Sequence, residues 1–134
     1  MSHQNVETVR AMYAAFARGD PAMLLSYLDP AMRVYDRPMH PEASVYEGHH
    51  GFLRFAQTDW DAFDDVTYEP QDFVAHGPYV VVPIKQGGKG KGSALGVEES
   101  IVNVWKLRGG KCVELRNYST IGEALEAVGA GRRG

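Results

Sequence analysis

Three polar side chains stand on rows where the alternation of their strands calls for apolar ones. Asp36 ends the series Met32, Val34, Asp36; Asn103 lies between Ile101 and Trp105; Asn117 follows Val113 and Leu115. Alternate residues of a strand share a face, so each polar group points where its apolar neighbours point. An inward carboxylate is either a strand end fraying into solvent or an acid placed in a pocket. A buried amide or acid left without a hydrogen bond costs roughly 1–3 kcal/mol, so a single one is commonly glue between strands. Three on separate strands read as the lining of a pocket, with groups able to accept a proton and donate hydrogen bonds.

The elements that must hold these residues follow from the pattern of apolar positions. "NVETVRAMYAAFARGD" is helical: Val6, Val9, Tyr13 and Phe16 recur at three and four residues, with Asn5 as a cap and Gly19 as a stop. Asp20-Pro21 opens a short second helix, "PAMLLSYL", with the acid as cap and proline in the first turn. A strand over 31–36 follows, then a third helix from about His50 to Phe63 whose Phe52, Phe55, Trp60 and Phe63 form an aromatic face. From Val66 the period becomes two, giving strands near 66–75, 78–86, 97–107 and 111–119. In the strand over 97–107 the charges at both ends of the even row argue that Val97, Glu99, Ile101, Asn103, Trp105 and Leu107 face the core. In the last strand Val113, Leu115 and Asn117 point in. "GGKGKGS" is a solvated hairpin link that fails the phosphate-loop pattern, because Lys91 is followed by Gly92. "LRGGKCV" is a tight turn. A short helix, "GEALEAVG", ends the pattern, and residues 129–134 are expected to fray. Helices gathered on one side of a curved antiparallel sheet make an α+β domain whose hollow suits an apolar ligand.

A chain of 134 residues suits one domain, 1–134, and 44% hydrophobic with 23% charged residues is the make-up of an ordinary globule. A net charge of −3 argues against a nucleic-acid partner. No apolar run approaches the ~20 residues of a membrane span. The N-terminus "MSHQNVETVR" lacks a signal peptide's apolar core, so the expected location is cytoplasmic. The lone Cys112 excludes an internal disulfide framework and a cysteine-built zinc site, and is expected to pack as a small apolar side chain.

"VRAMYAAFARGDPAMLLSYLDPAMRVYD", "VYEGHHGFLRF", "VNVWKLRGGKCVELRNY" and "EALEAVG" together resemble the SnoaL-like branch of the NTF2-like superfamily, in order and across nearly the whole chain. The resemblance implies a cone-shaped α+β fold with three helices on the concave side of its sheet, commonly as a homodimer. It leaves the activity open among ketosteroid isomerase, limonene epoxide hydrolase, polyketide cyclases, dehydratases and non-catalytic transport factors. It places Asp36 where ketosteroid isomerase carries its general base and Asn103 near that enzyme's oxyanion-hole acid. The isomerase's phenol donor aligns with Met12, one position from Tyr13. Asn117 falls where the epoxide hydrolase has a catalytic aspartate, but the hydrolase's Arg-x-Asp strand motif has no counterpart in "VVVPIKQGG", which disfavours direct epoxide hydrolysis.

The reading that follows is an enzyme without cofactor or metal, acting on a small, largely apolar carbonyl compound. Asp36 would be the general base, and Asn103, with Tyr13 or Asn117, would donate to the developing enolate. Isomerisation, cyclisation and dehydration remain open. The alternative is a binding module for a small apolar or aromatic molecule, in which Trp60, Phe63 and Trp105 supply apolar contact, or simply pack the core. His40, His49 and His50 gather near the mouth loop and read as rim residues rather than metal ligands, with His40 a possible rim acid or base beside Asp36. Lys85 and Glu99 stay ambiguous, Glu99 being placed near the exposed hairpin end or at a dimer contact.

Overall fold

The computed structural model describes residues 2–36, 45–93 and 95–129. Helix α1 (Ser2–Ala17) is followed by α2 (Pro21–Ser26), strand β1 (Leu28–Tyr35), the short β2 (Val45–Glu47) and α3 (Gly48–Ala62). Then come β3 (Phe63–Pro70), β4 (Val74–His76), β5 (Tyr79–Gly90), β6 (Gly96–Arg108), β7 (Lys111–Tyr118) and α4 (Ile121–Ala127). The strands form one curved sheet in the order β2-β1-β7-β6-β5-β3, with β4 beside β5.

Local chemistry sets the helix ends. Helix α1 begins a turn before Asn5, so that residue lies inside the helix rather than capping it. Gly19, with φ +71°, lets the chain leave α1 in a left-handed residue that a side chain would strain. Asp20 then caps α2 by accepting from the Met23 amide at 3.1 Å, with Pro21 in the first turn. Thr120 and Glu123 close a reciprocal capping box on α4. Gly109 and Gly110, at φ +60° and +80°, form the two-residue turn between β6 and β7, a conformation whose twist matches the flanking strands.

The main core lies between α1–α3 and one face of the sheet. Val9, Met12 and Ala15 of α1, Leu24 of α2 and Phe52 of α3 meet Met32, Val34, Val80, Val82, Ile84, Trp105 and Leu115. Several features depart from the expected pattern. The sheet is mixed, because β1 runs parallel to β7, its neighbour only through long-range pairing. The expected strand over 66–75 begins at Phe63 and is broken after Pro70, with β4 resuming at Val74. The even row of β6 is not wholly outward: Val102 and Val104 are buried with Val81 beneath Ala124 of α4, a second small core on the opposite face. A bulge between β6 and β7 pairs Lys106 with Glu114 but Leu107 with Cys112. Cys112 therefore takes the core position expected of Val113, which is half-buried. Among the described residues no helix is long and apolar enough to cross a membrane.

Candidate functional site

Strand register explains how distant residues meet. On the core face of β6, Asn103 stands opposite Asn117 of β7 and Val82 of β5. Tyr35 of β1 pairs with Arg116 of β7, so the next residue, Asp36, comes level with Asn117. Asp36, Asn117 and Asn103 thus form one row across three neighbouring strands. Two residues from it along β6, on one side, Trp105 faces Val80 and Leu115. Four residues away on the other side, towards the β5–β6 hairpin, Glu99 faces Gln86, which in turn faces Tyr68 of β3.

These rows form a wall of a cavity of about 170 Å³ roofed by α1, α2 and α3. Asp36, Asn103, Asn117, Tyr13, Met12, Trp60 and Trp105 all line it. Phe63 does not. Helix α3 stops at Ala62, so Phe63 opens β3 opposite Gly90 and sets its side chain against the Gly88 backbone. His40 lies outside the described residues. His49 is not a free rim residue: it sits in the first turn of α3 and its Nε2 is 2.7 Å from the Leu28 carbonyl, tying that helix to β1. His50 is exposed, and Lys85 is exposed on the opposite sheet face, opposite Ser100 and Glu69.

Four of the polar side chains in the cavity wall are joined in a directed chain. Trp105 Nε1 donates to the Tyr13 hydroxyl at 3.0 Å, and that hydroxyl donates to Asn103 Oδ1 at 2.6 Å. Asn103 Nδ2 donates to Asn117 Oδ1 at 2.7 Å, and Asn117 Nδ2 to the Tyr35 carbonyl at 3.1 Å. The chain answers the cost of burying two amides on apolar rows, and it ends on the backbone immediately before Asp36. Asp36 is half-buried, whereas Asn103 and Asn117 are buried. Each amide nitrogen has a second N–H beyond the one spent in the chain. The Tyr13 hydroxyl has already committed its one proton, so its place is to orient Asn103 rather than to donate directly to a ligand. Burial pushes the Tyr13 phenol well above its ordinary value, with the Trp105 hydrogen bond working the other way. Met12, the other candidate for the phenol position, is buried with its Sδ 3.3 Å from Cys112 Sγ. Burial also pushes the Cys112 thiol up to about 12.

Aromatic rings complete the wall. Phe16 stacks on Trp60 (centroids 6.3 Å, interplanar angle 16°) and meets Tyr68 edge-on at 4.9 Å. Phe52 tilts against Trp105 at 6.5 Å. Phe16, read from the sequence only as part of the first helix's apolar face, and Tyr68 and Gln86 were not among the candidate site residues, although Gln86 shares parity with Val80, Val82 and Ile84. Glu99 is exposed, yet it lines the cavity at its hairpin end.

The SnoaL-like domain family matches residues 9–115. No curated protein matches the sequence. Among solved structures, a candidate SnoaL-like polyketide cyclase from Jannaschia sp. CCS1 is 20% identical, with a TM-score of 0.76 over 99% of this chain and 96% of that one. A protein of ketosteroid isomerase-like fold from Catenulispora acidiphila DSM 44928, in complex with trimethylamine, is 18% identical, with a TM-score of 0.70 over 96% and 98%. TerC, co-crystallised with polyporic acid, is 21% identical, with a TM-score of 0.74 over 93% and 98%. At these identities the likeness is one of fold. The family match, the mixed α+β architecture and these neighbours agree: the chain belongs to the SnoaL-like domain family and has the NTF2-like fold.

Proposed function

We propose that the cavity receives a small, largely apolar carbonyl compound and that Asp36 acts on it as a general base. One observation carries this reading. A carboxylate and two amides, from three strands, share one row on the wall of a cavity otherwise lined mostly by apolar side chains. Asp36 would take a proton from carbon beside the carbonyl. The second N–H groups of Asn103 and Asn117 would donate to the oxygen on which negative charge then develops. Tyr13 and Trp105 hold Asn103 in orientation through the directed chain. The outcome is an isomerisation, a cyclisation or a dehydration, without cofactor or metal. A cavity near 150 Å³ holds a benzene-sized molecule, so about 170 Å³ encloses a single ring, with larger substrates extending through the mouth. The Jannaschia neighbour supports the cyclase form of this reading by fold alone.

Phenylacetone provides a test that needs no knowledge of the natural substrate. Its activated C–H exchanges in D₂O, and proton NMR follows the loss of signal. The protein is expected to accelerate exchange, and Asp36→Asn to remove the acceleration while keeping the melting temperature. Equal rates with the wild-type chain and the Asn variant would refute the assignment.

The internal pairing that links Tyr13, Asn103 and Asn117 favours a second reading, a binding module whose amides orient a ligand without chemistry. Saturable phenylacetone binding without exchange selects it over the first. In either reading the chain works in the cytoplasm as a homodimer. Support comes from the exposed Leu95 and Val97 at the β5–β6 hairpin, and light scattering should give twice the 14.8 kDa chain mass. A monomeric mass at micromolar concentration would exclude the dimer.

A further inference from the structure

The sheet wall of the cavity changes character in bands. Asn103 faces Val82 across β6 and β5, Ile101 faces Ile84 two residues on, and Glu99 faces Gln86 two residues beyond that. All of these but Val82 line the cavity. The polar band that Asn103 shares with Asn117 is therefore followed by an isoleucine band and then by a second polar band. Gln86 ends the core-facing series Val80, Val82, Ile84 of β5, much as Asp36 ends that of β1.

A primary amide offers two N–H donors and an acceptor oxygen without carrying charge. Gln86 is half-buried, and among the described residues no hydrogen bond to its side-chain amide is formed. Asn103 and Asn117, by contrast, are each tied into the directed chain. Strand geometry sets the span between the two polar bands. Four residues of β6, from Asn103 to Glu99, cover on the order of 13 Å. A hydrogen bond of about 3 Å at each end leaves on the order of 7 Å between two ligand oxygens. One benzene ring with oxygen functions at opposite ends fills that span, and a single ring is also what about 170 Å³ encloses.

The geometry points to Gln86 as a specificity-determining residue that takes a second polar group of the ligand. That group stands at the far end of a ring lying on Ile84 and Ile101, whose carbonyl arm reaches Asn103 and Asn117. The ligand class is an aryl ketone with a hydroxyl or ether oxygen para to its carbonyl arm, rather than a plain aryl ketone. This deepens the proposed function. It rests on the cavity being the ligand site with a carbonyl at the two asparagines, not on Asp36 acting as a base.

Phenylacetone, 4-hydroxyphenylacetone and 2-hydroxyphenylacetone share one frame and differ only in a ring hydroxyl and its position. Calorimetric titration of the full chain with each therefore reads the second anchor. The para isomer is expected to bind roughly five-fold more tightly than either of the others, the worth of one neutral hydrogen bond. Gln86→Leu keeps an apolar row apolar and is expected to bring the para isomer down to the affinity of phenylacetone, which itself stays unchanged. Circular dichroism checks that this variant folds, and the comparison of isomers on the wild-type chain needs no variant. Equal affinity for the three compounds, no binding of any, or a para preference that survives Gln86→Leu would each overturn the inference. Equal affinity leaves the exchange test of Asp36 standing. A chain that prefers the para isomer without exchanging phenylacetone leaves the second anchor standing.

Discussion

Replacing Tyr13 by phenylalanine removes one oxygen from the middle of the Trp105–Tyr13–Asn103–Asn117 chain. The ring's edge contacts with Phe73 (5.9 Å) and Trp105 (6.2 Å) stay, so the loss is confined to hydrogen bonding. Two buried groups then lose their partners, the Trp105 indole N–H and Asn103 Oδ1. At roughly 1–3 kcal/mol per orphaned group, the expected destabilisation is about 2–6 kcal/mol. That is a large share of the roughly 5–15 kcal/mol that holds a domain together. Urea unfolding followed by circular dichroism should show a lower midpoint with an unchanged slope. The pH dependence supplies a second check. Burial raises the Tyr13 phenol in the folded protein, so native Tyr13 keeps its proton while the unfolded chain releases it above about 10. The wild-type chain therefore loses stability as pH climbs past that point. The phenylalanine variant lacks this contribution, and the stability gap between the two should narrow. A cost below about 0.5 kcal/mol, or a gap that stays constant at high pH, would refute the account of Tyr13 as an internal link.

Burial that pushes Cys112 up to about 12 should leave the native thiol unreactive towards a disulfide reagent at pH 8, with full reaction after unfolding; native reaction at the rate of a free thiol would contradict it. Gly110→Val, at φ +80° with open space around it, should cost about 1–2 kcal/mol through backbone strain alone, read as a shift in denaturation midpoint. Thr120→Ala removes the side chain that accepts from the Glu123 amide at 3.1 Å and should cost about 1 kcal/mol by the same measurement. Asp36→Asn, at a half-buried position, should move the melting temperature by less than about 3 °C, equivalent to roughly 1 kcal/mol for a chain of this size.

Residues that report their own surroundings were legible before any coordinates. The alternation around Asn103 placed it inward because Ile101 and Trp105 flank it, and Asp20-Pro21 announced the cap of α2. What depended on non-local pairing was not. Nothing in "MRVYD" says that β1 runs parallel to β7, yet that pairing brings Asp36 level with Asn117. Val113 was misplaced because a bulge shifts register without changing composition. Val102 and Val104 looked outward beside Glu98 and Lys106 because α4, which covers them, lies past the end of the sheet in sequence. Phe63 kept the rhythm of an aromatic helix face, but the chain switches to β3 at that residue. Glu99 had the right parity, and its position near a hairpin tip hid its part in the cavity lining.

The side-chain relay stops on the Tyr35 carbonyl, and its second member, Tyr13, roots it in α1. The first helix and the tip of the first strand are thereby yoked through the sheet, although 22 positions separate Tyr13 from Tyr35. Drift of that helix away from the sheet would tug on the peptide group that sets where the following carboxylate sits. Stiffness in that corner of the cavity is thus a property of the whole linkage, and loosening any one of its joints should shift the carboxylate even where the acid itself is untouched.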